Sequence, residues 1–483
     1  MTYGWAILII VIVAVILYSM GIFNPSSSIT FTSSGFSPFT VSSSLCNNIG
    51  YKIAVLAGPI PNNANSLTIN KVYLTSATGA NTTTASYTLT NPVTLKSGQS
   101  ATILIPNVAC NSANTHYSLS AKIQYSYDVP TIGLQTVNTT GTVAGTSITG
   151  KPSTLTSYEP ITITNTQSSA TPSPFQQMVN FTSSDPGFSS IATGNFGQNV
   201  EFFYYNGTVI PSWLENYTST NAIWWLKIAA IPAGSSETVY VGFAPTSTSL
   251  FNTVNDGEAP QLTCPNPSAT ASCSTYAEYD DGIDVFNFYD NFAGTTLNTN
   301  KWTNEGITYT VNNGFTATST ASSGYIYSPV RVTPPYIIEF YGDLGGQSTD
   351  TTAETGGMMI PAVNGGNFWG VAIGSGWPTS GNYLAQMTNG GAISTAVLSD
   401  AFLNAVLTIN IVNSTTSTYY YNSLNKVTVN ADAPKYPVNL MLIGAPANGA
   451  AYSFSPDPFI QWFSTRAYPP NGVMPSVTFG SVV

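Results

Sequence analysis

Residues 116–127 read HYSLSAKIQYSY, and this stretch decides the fold class. Tyr117, Leu119, Ala121, Ile123 and Tyr125 share one parity, while Ser118, Ser120, Lys122, Gln124 and Ser126 share the other. A period of two places the first set on one face of a strand and the second on the opposite face. The same alternation runs through SLTINKVY (66–73) and through ASYTLT and SATILIP, both between residues 85 and 106. Turn-forming residues at Gly50, 59–65 and 96–99 break the runs. Nothing here has the 3.6-residue period of an amphipathic helix, and residues 28–150 are expected to form one β-sandwich.

Further along, PITITNTQ (160–167), FQQMVNF (175–181), NVEFFYYNGTVIPSWLENY (199–217), AIWWLKIAAIP (222–232) and SSETVYVGF (235–243) define a second strand-rich unit over 154–260. Residues 261–284 read as a connector containing the acidic string YAEYDDGID (276–284). A third unit over 285–483 carries GYIYSPVRV (324–332), YIIEFYGDL (336–344), VNLMLIGA (438–445) and PFIQWFSTRAY (458–468).

Composition narrows the function. Of 483 residues, 11 are Lys or Arg and 21 are Asp or Glu, which gives a net charge of −10 and 7% charged residues. An ordinary soluble domain carries about 25%. The deficit of basic groups excludes a nucleic-acid partner, which needs clustered Lys and Arg. A hydrophobic fraction of 43% excludes a disordered chain. Polarity must come from Ser, Thr, Asn and Tyr, which suits a glycosylated chain or an acidic medium and points outside the cell. His116 is the single histidine, so neither a His-rich zinc site nor a catalytic histidine is expected.

Residues 1–23 read MTYGWAILIIVIVAVILYSMGIF. From Gly4 to Ile22 there is no charge, and nineteen residues of helix would span roughly 28 Å, close to a hydrocarbon core. The expectation is a membrane-anchor or filament-core helix. The segment resembles the N-terminus of archaeal surface proteins processed like type IV pilins. It lacks their basic leader, cleavage site and early glutamate, so either the true start lies upstream or the helix only anchors. The resemblance implies membrane lipid, or further copies of the chain, as the helix's partners.

Cys46, Cys110, Cys264 and Cys273 include no CxxC pair. Their even number suggests two disulfides, and chain order favours Cys46–Cys110 and Cys264–Cys273, with free buried thiols as the alternative. Sequons stand at Asn81, Asn138, Asn180, Asn206, Asn216 and Asn413.

Within the second unit, Ile161 to Thr164, Phe175, Gln176, Gly207, Pro211, Trp213, Leu214, Glu215, Trp224, Lys227, Ile231 to Gly234 and Thr238 to Gly242 resemble a small β-sandwich domain of unknown function found in prokaryotic secreted proteins. Val200 to Phe203 stand where that family has an Asp-x-Arg-Phe-like strand. In the third unit, Phe288, Asp290, Phe292, Leu297, Asn298, Lys301 and Trp302, with Trp462 and Arg466 near the end, resemble a jelly roll of the concanavalin A and laminin-G type. The fold class expected is therefore all-β, with a transmembrane or pilin-like helix followed by tandem β-sandwich domains ending in a concanavalin A-like jelly roll.

Candidate sites are few. Glu339 and Asp343 share a strand face but stand about 13 Å apart, beyond both glycosidase spacings. Asp280, Asp281 and Asp284 offer oxygen ligands for calcium, the one cofactor that the sequence suggests, against the reading of a solvated acidic linker. No Gly-x-Ser-x-Gly elbow or Gly-x-Gly-x-x-Gly loop is present. Trp369 and Trp377, in a Gly-rich stretch, are candidates for stacking on sugar, with core packing as the rival for Trp369. These readings converge on a non-enzymatic surface protein, anchored in the membrane or assembled in a pilus-like filament. The alternative is a carbohydrate-binding protein that holds a polysaccharide or glycoprotein through the jelly roll. A weaker one is a glycan-active enzyme.

Overall fold

The computed structural model describes residues 31–82, 86–106, 108–110, 113–192, 194, 197–265, 272–343, 357–361, 368–374, 384–389, 392–397, 404–413, 415–430, 438–444, 452–453, 457 and 459–483. The chain divides into two compact units: Met1–Leu155 with Phe203–Thr208, and Thr156–Phe202 with Val209–Val483.

In the first unit, one antiparallel sheet runs in the order Thr32–Gly35, Gly133–Thr146, His116–Val129, Leu67–Thr78, Ser86–Leu95. A three-stranded sheet is made by Phe39–Cys46, Tyr51–Ala57 and Ser100–Ile105. The alternation of residues 116–127 explains the core. Tyr117, Leu119, Ala121, Ile123 and Tyr125 are all buried, against Val41, Tyr51, Ile53 and Val55 among others. Burying Tyr117 would strand its hydroxyl, and the Ser44 hydroxyl 2.5 Å away supplies the partner. Cys46 and Cys110 form a disulfide in this core with Cα atoms 5.6 Å apart.

The second unit begins as a sandwich of two four-stranded sheets. One has the order Val200–Phe203, Ser235–Phe243, Ser157–Asn165, Ser476–Phe479, and the other has Phe175–Thr182, Asn221–Ile228, Ser212–Tyr217, Asp256–Glu258. Ser476–Phe479 pairs antiparallel with the opening strand, Val477 opposite Ile163 and Phe479 opposite Ile161. The chain thus leaves this sandwich, builds a ten-stranded sheet from residues 288–467, and returns to complete it. The path through the ten-stranded sheet includes Phe459–Ala467, Tyr336–Asp343, Ala405–Ile411, Ser417–Tyr421 and Leu424–Val429 as successive neighbours. Gly357–Pro361, Phe368–Gly374, Leu384–Asn389 and Ala392–Val397 make a separate four-stranded meander.

The motif around residues 288–302 is explained by one carboxylate. Asp290 accepts the Trp302 indole N–H at 2.6 Å and lies 3.6 Å from the Lys301 ammonium, which also donates to the Tyr289 carbonyl at 2.7 Å. Trp302 is thereby fixed edge-on to Phe288 and Phe463 in a core that includes Ile338, Phe340, Leu407 and Ile409. Such aromatic edges add to the burial gain.

Part of the expected fold class is corrected. The helix expected from Gly4 to Ile22 lies outside the described residues. Among the described residues the α-helices are Pro260–Thr263 and Gly282–Val285, and no helix is long and apolar enough to cross a membrane. A span needs about 20 apolar residues, and a four-residue turn provides none of that length. The supported architecture is all-β, with several packed sheets and no transmembrane or pilin-like helix among the described residues.

Candidate functional site

The strand Tyr336–Asp343 has two buried faces of different chemistry. Ile338 and Phe340 enter the apolar core, whereas Ile337, Glu339 and Tyr341 face the other way. Register carries this second face across three strands. Glu339 stands opposite Thr408 and Ser464, Ile337 opposite Asn410 and Arg466, and Tyr341 opposite Val406 and Trp462. The sandwich sheet covers much of it with Trp213 and Trp225. These pack with Phe286, Tyr289, Val406 and Trp462 into an aromatic cluster in which Trp213 meets Trp462 edge-on at 5.2 Å.

A polar chain crosses this interface. Arg466 donates Nε to Glu339 Oε2 at 2.7 Å and Nη2 to Oε1 at 2.9 Å, and the Thr408 hydroxyl donates to Oε1 at 3.1 Å. The guanidinium centre sits 4.3 Å from the Trp225 ring, a cation–π stack. The Trp225 indole N–H in turn donates to Glu215 Oε2 at 2.5 Å. Burial, with a further push from the charge of Glu339, raises the Glu215 carboxyl to about 7, against opposing pulls from the Trp225 hydrogen bond and Arg466. Gln261 locks the other side, donating to the Glu215 carbonyl at 2.8 Å and accepting the Trp462 indole N–H at 2.8 Å.

Two cavities flank this chain and share Ser423. The larger, about 340 Å³, is lined by Glu215, Gln261, Tyr341, Asn216, Asn404 and Asn422 together with Ile223, Leu262 and Val406. Glu215, Gln261 and Val406 are buried, whereas Asn216, Asn404, Asn422 and Ser423 are exposed at the rim. The rim is built by turn chemistry. Asn422 and Ser423, both at positive φ, make the two-residue hairpin between Ser417–Tyr421 and Leu424–Val429, and Asn404 also holds φ 50°. Asparagine tolerates that left-handed backbone, so the turns deliver amides to the cavity mouth. The smaller cavity, about 170 Å³, is lined by Met178, Trp225, Ile337, Glu339, Thr408, Asn410, Tyr420, Arg466, Pro469 and Met474, with Gly472 at its edge. Within this group, Arg466 Nη1 and Asn410 Oδ1 have no hydrogen-bond partner.

The residues singled out from sequence lie mostly elsewhere. Asp280 accepts hydrogen bonds from Trp213 Nε1, Tyr289 OH, Asn291 Nδ2 and the Gly282 amide, at 2.7–3.0 Å. Asp281 is fully buried with neither carboxyl oxygen partnered, and burial and the charge of Asp280 push it well above the usual carboxylate range. Asp284 is half-buried, and its backbone carbonyl accepts from Lys227 at 2.7 Å. Among the described residues no group of three or more His, Cys, Asp or Glu is placed to hold a metal ion. Trp369 lies in the strand Phe368–Gly374, opposite Ile360 and Asn389, and Trp377 is outside the described residues. Asp343 ends the Glu339 strand, opposite Phe459. Cys264 and Cys273 are bonded, with Cα atoms 6.2 Å apart. Asn81, Asn138, Asn180, Asn206, Asn216 and Asn413 are all exposed. Sequence reasoning missed Gln261, Asn404, Asn410 and Asn422. Glu215 and Arg466 appeared only as family-like positions. The readable signal was Glu339 itself, a carboxylate in an otherwise apolar and aromatic strand.

Comparison with known proteins adds limited context. The family described as a domain of unknown function (DUF2341) matches residues 196–305. An uncharacterised protein, protein 562, of Sulfolobus islandicus rod-shaped virus 1 is 37% identical over 136 residues, covering 27% of this chain. The chain spans about a fifth (21%) of the length of that relative. Similar solved structures include a glycosyl hydrolase family protein from Mycobacterium fortuitum (12% identity, 37% of this chain and 99% of that one, TM-score 0.27). A β-glucanase from Bacillus licheniformis (13%, 37% and 97%, TM-score 0.28) and porphyranase B from Zobellia galactanivorans (13%, 37% and 89%, TM-score 0.28) are others. At these scores they assign no activity. The firmly non-enzymatic reading is withdrawn, since the cavity beside the Glu339 strand is lined by the Glu215 carboxyl, raised to about 7. The archaeal pilus-like filament subunit or anchored envelope protein, its membrane-lipid and self-packing partners, and its placement in a membrane or extracellular filament are withdrawn too. Each depended on an apolar spanning helix, and none occurs among the described residues.

Proposed function

We propose that this protein binds carbohydrate, with the glycan held in the 340 Å³ cavity beside the Glu339 strand. One observation carries the reading: three rim amides (Asn216, Asn404 and Asn422), the Glu215 carboxyl and the Tyr341 ring line a single cavity, with Gln261 bracing its wall. Sugars present vicinal hydroxyls that pair with planar amides and carboxyls, and apolar ring faces that pack on aromatics. The volume falls within the range of ligand sites and suits one or two sugar rings. A glycan array probed with the full chain, followed by calorimetry on the best hit, tests the proposal. Asn404→Gly keeps the left-handed backbone and deletes the amide, so affinity should fall about tenfold or more with the fold intact. Binding that is indifferent to this change removes the cavity from the proposal.

A second reading, hydrolysis of the bound glycan, rests on the carboxyls. Glu215, raised to about 7 by burial and by the charge of Glu339, is a carboxyl of the kind that serves as general acid in glycan hydrolysis. Both Glu339 oxygens are already occupied by Arg466, and Oε1 also by Thr408, which favours binding over turnover. Release of reducing ends from the best array ligand, lost in Glu215→Gln, decides between the two.

A further inference from the structure

We infer that the glycan is a basic one, an amino sugar whose ammonium pairs with the Glu215 carboxylate in the 340 Å³ cavity; the inference rests on the carbohydrate reading above. Glu215 and Tyr341 are the ionisable side chains of that lining, and no Lys, Arg or His joins them among the described residues. Glu215 Oε2 takes the Trp225 indole N–H, and the Glu215 backbone carbonyl takes the Gln261 amide. Oε1 accepts no hydrogen bond, yet it is not sealed from solvent as the carboxyl oxygens of Glu159 and Asp281 are. It is the acceptor left to a ligand.

The amides around it serve other ends. Gln261 spends its N–H on Glu215 and its carbonyl on Trp462, and Asn422 spends its carbonyl on the Val406 amide at 2.9 Å. What Asn422 still offers is N–H, which suits a sugar hydroxyl and not a cation. Glu215 Oε1 is therefore the strong acceptor for an ammonium, with the Tyr341 ring as an aromatic wall that also attracts positive charge. The surrounding charges point the same way. Glu339 and Arg466 neutralise each other through their two hydrogen bonds, and Arg466 is further stacked on Trp225. Ionised Glu215 thus leaves the region one charge negative, with no counter-charge in the cavity lining. An ammonium supplies that charge, whereas a uronic acid or a sulfated sugar adds to the imbalance. Burial, then the charge of Glu339, raises the Glu215 carboxyl to about 7, against weaker pulls from Trp225 and Arg466. Below that pH the empty site holds a proton, and a bound ammonium displaces it. Affinity must then fall as pH drops below 7.

The test is calorimetry on the full chain with three probes. These are the glucosamine trisaccharide, cellotriose, which carries hydroxyls in place of the amines, and trilysine, which carries the charge without the sugar rings. The amino sugar should bind at least about tenfold more tightly than either. Its affinity should fall about tenfold from pH 7 to pH 5.5, and its heat at pH 6 should vary with the ionisation heat of the buffer, marking the released proton. Glu215→Gln, checked for folding by thermal melting, keeps an acceptor for Trp225 and should abolish both the preference and the pH dependence. If that variant does not fold, the pH profile and buffer heats of the unaltered chain decide. Equal binding of the two sugars leaves the carbohydrate reading standing and overturns this one. No binding of either sugar by the folded chain also overturns it, and the glycan array then decides the broader reading separately. Trilysine that binds as tightly as the amino sugar, affinity that is unchanged by pH, or a preference that survives in Glu215→Gln places the attraction elsewhere than Glu215 and overturns the inference.

Discussion

Arg466 and Glu339 are joined by two parallel hydrogen bonds, 2.7 and 2.9 Å, in a region where both side chains are more than nine-tenths buried. Removing one partner leaves the other charged and desolvated. Breaking a buried pair costs about 3–5 kcal/mol, whereas replacing both by apolar groups is often neutral. Glu339→Leu and Arg466→Met are each expected to destabilise the second unit by about 3 kcal/mol. The double variant Glu339→Leu with Arg466→Met should recover most of the loss. Guanidinium denaturation of the four proteins as a double-mutant cycle checks this. Additive losses would mean that the pair contributes no coupling.

Acid should stabilise this protein, contrary to the habit of most domains. Asp256 is raised to about 8, first by burial and then by the charge of Glu201. Burial is also the main cause that raises Glu258, Glu215 and Glu159 to about 7. Unfolded carboxyls titrate near 4. Between about pH 4 and pH 8 the folded chain therefore holds protons that the unfolded chain releases, so stability falls as pH rises. The contribution is complete below pH ~4 and is lost as pH climbs through 7 and 8. Melting temperature is expected to be several degrees higher at pH 4.5 than at pH 8.5, and Asp256→Asn should flatten the slope. A melting temperature that rises with pH over this window contradicts the assignment of these acids as buried and neutral. The few charged residues on the chain fit an acid-tolerant fold.

The two disulfides close loops of different length, 64 and 9 residues in separation. In the chain-entropy account a longer loop restrains the unfolded state more, by about 4 kcal/mol against about 2.5 kcal/mol. Cys46→Ser with Cys110→Ser is thus expected to cost more than Cys264→Ser with Cys273→Ser. The Cys46 pair is also buried in the core of the first unit, which widens the gap. Urea unfolding of both double variants, followed by a probe in each unit, gives the comparison.

Local pattern made the strands legible. Tyr117, Leu119 and Ile123 are buried because their parity is apolar, and that signal needs no tertiary knowledge. The site was not legible for the converse reason. Glu215, Gln261, Glu339, Asn410, Asn422 and Arg466 are scattered over more than 250 residues, and only strand register brings them together. Asn404 and Asn422 hold left-handed backbone at turns, and their use at the cavity depends on what faces the turn. Asp280 and Asp281 misled because an acidic string looks solvated in sequence. Here Asp280 collects donors from Trp213, Tyr289 and Asn291, and Asp281 is buried outright.

The clearest non-local dependence is the strand Ser476–Phe479. It pairs with Ile161–Thr164, more than 300 residues earlier, and the backbones of Tyr158 and Val483 exchange hydrogen bonds at 3.0 and 2.8 Å. Phe479 lays its ring 4.4 Å from Phe181, which itself stands edge-on to Trp224 at 5.7 Å. Ile161 and Ile163, both fully buried, share the sheet that this strand completes. Phe479→Ala should therefore destabilise the sandwich by about 2–3 kcal/mol through lost aromatic packing, although the ring is half-buried. Deleting residues 476–483 should cost far more, because it exposes an unpaired edge beside an apolar face. Hydrogen exchange locates the effect: amides of Ile161 to Thr164 should lose protection in Phe479→Ala, while those of residues 116–127 in the other unit should not change. Protection that persists at Ile161 to Thr164 after the deletion would show that the strand is an ornament on the sheet and not a part of its fold.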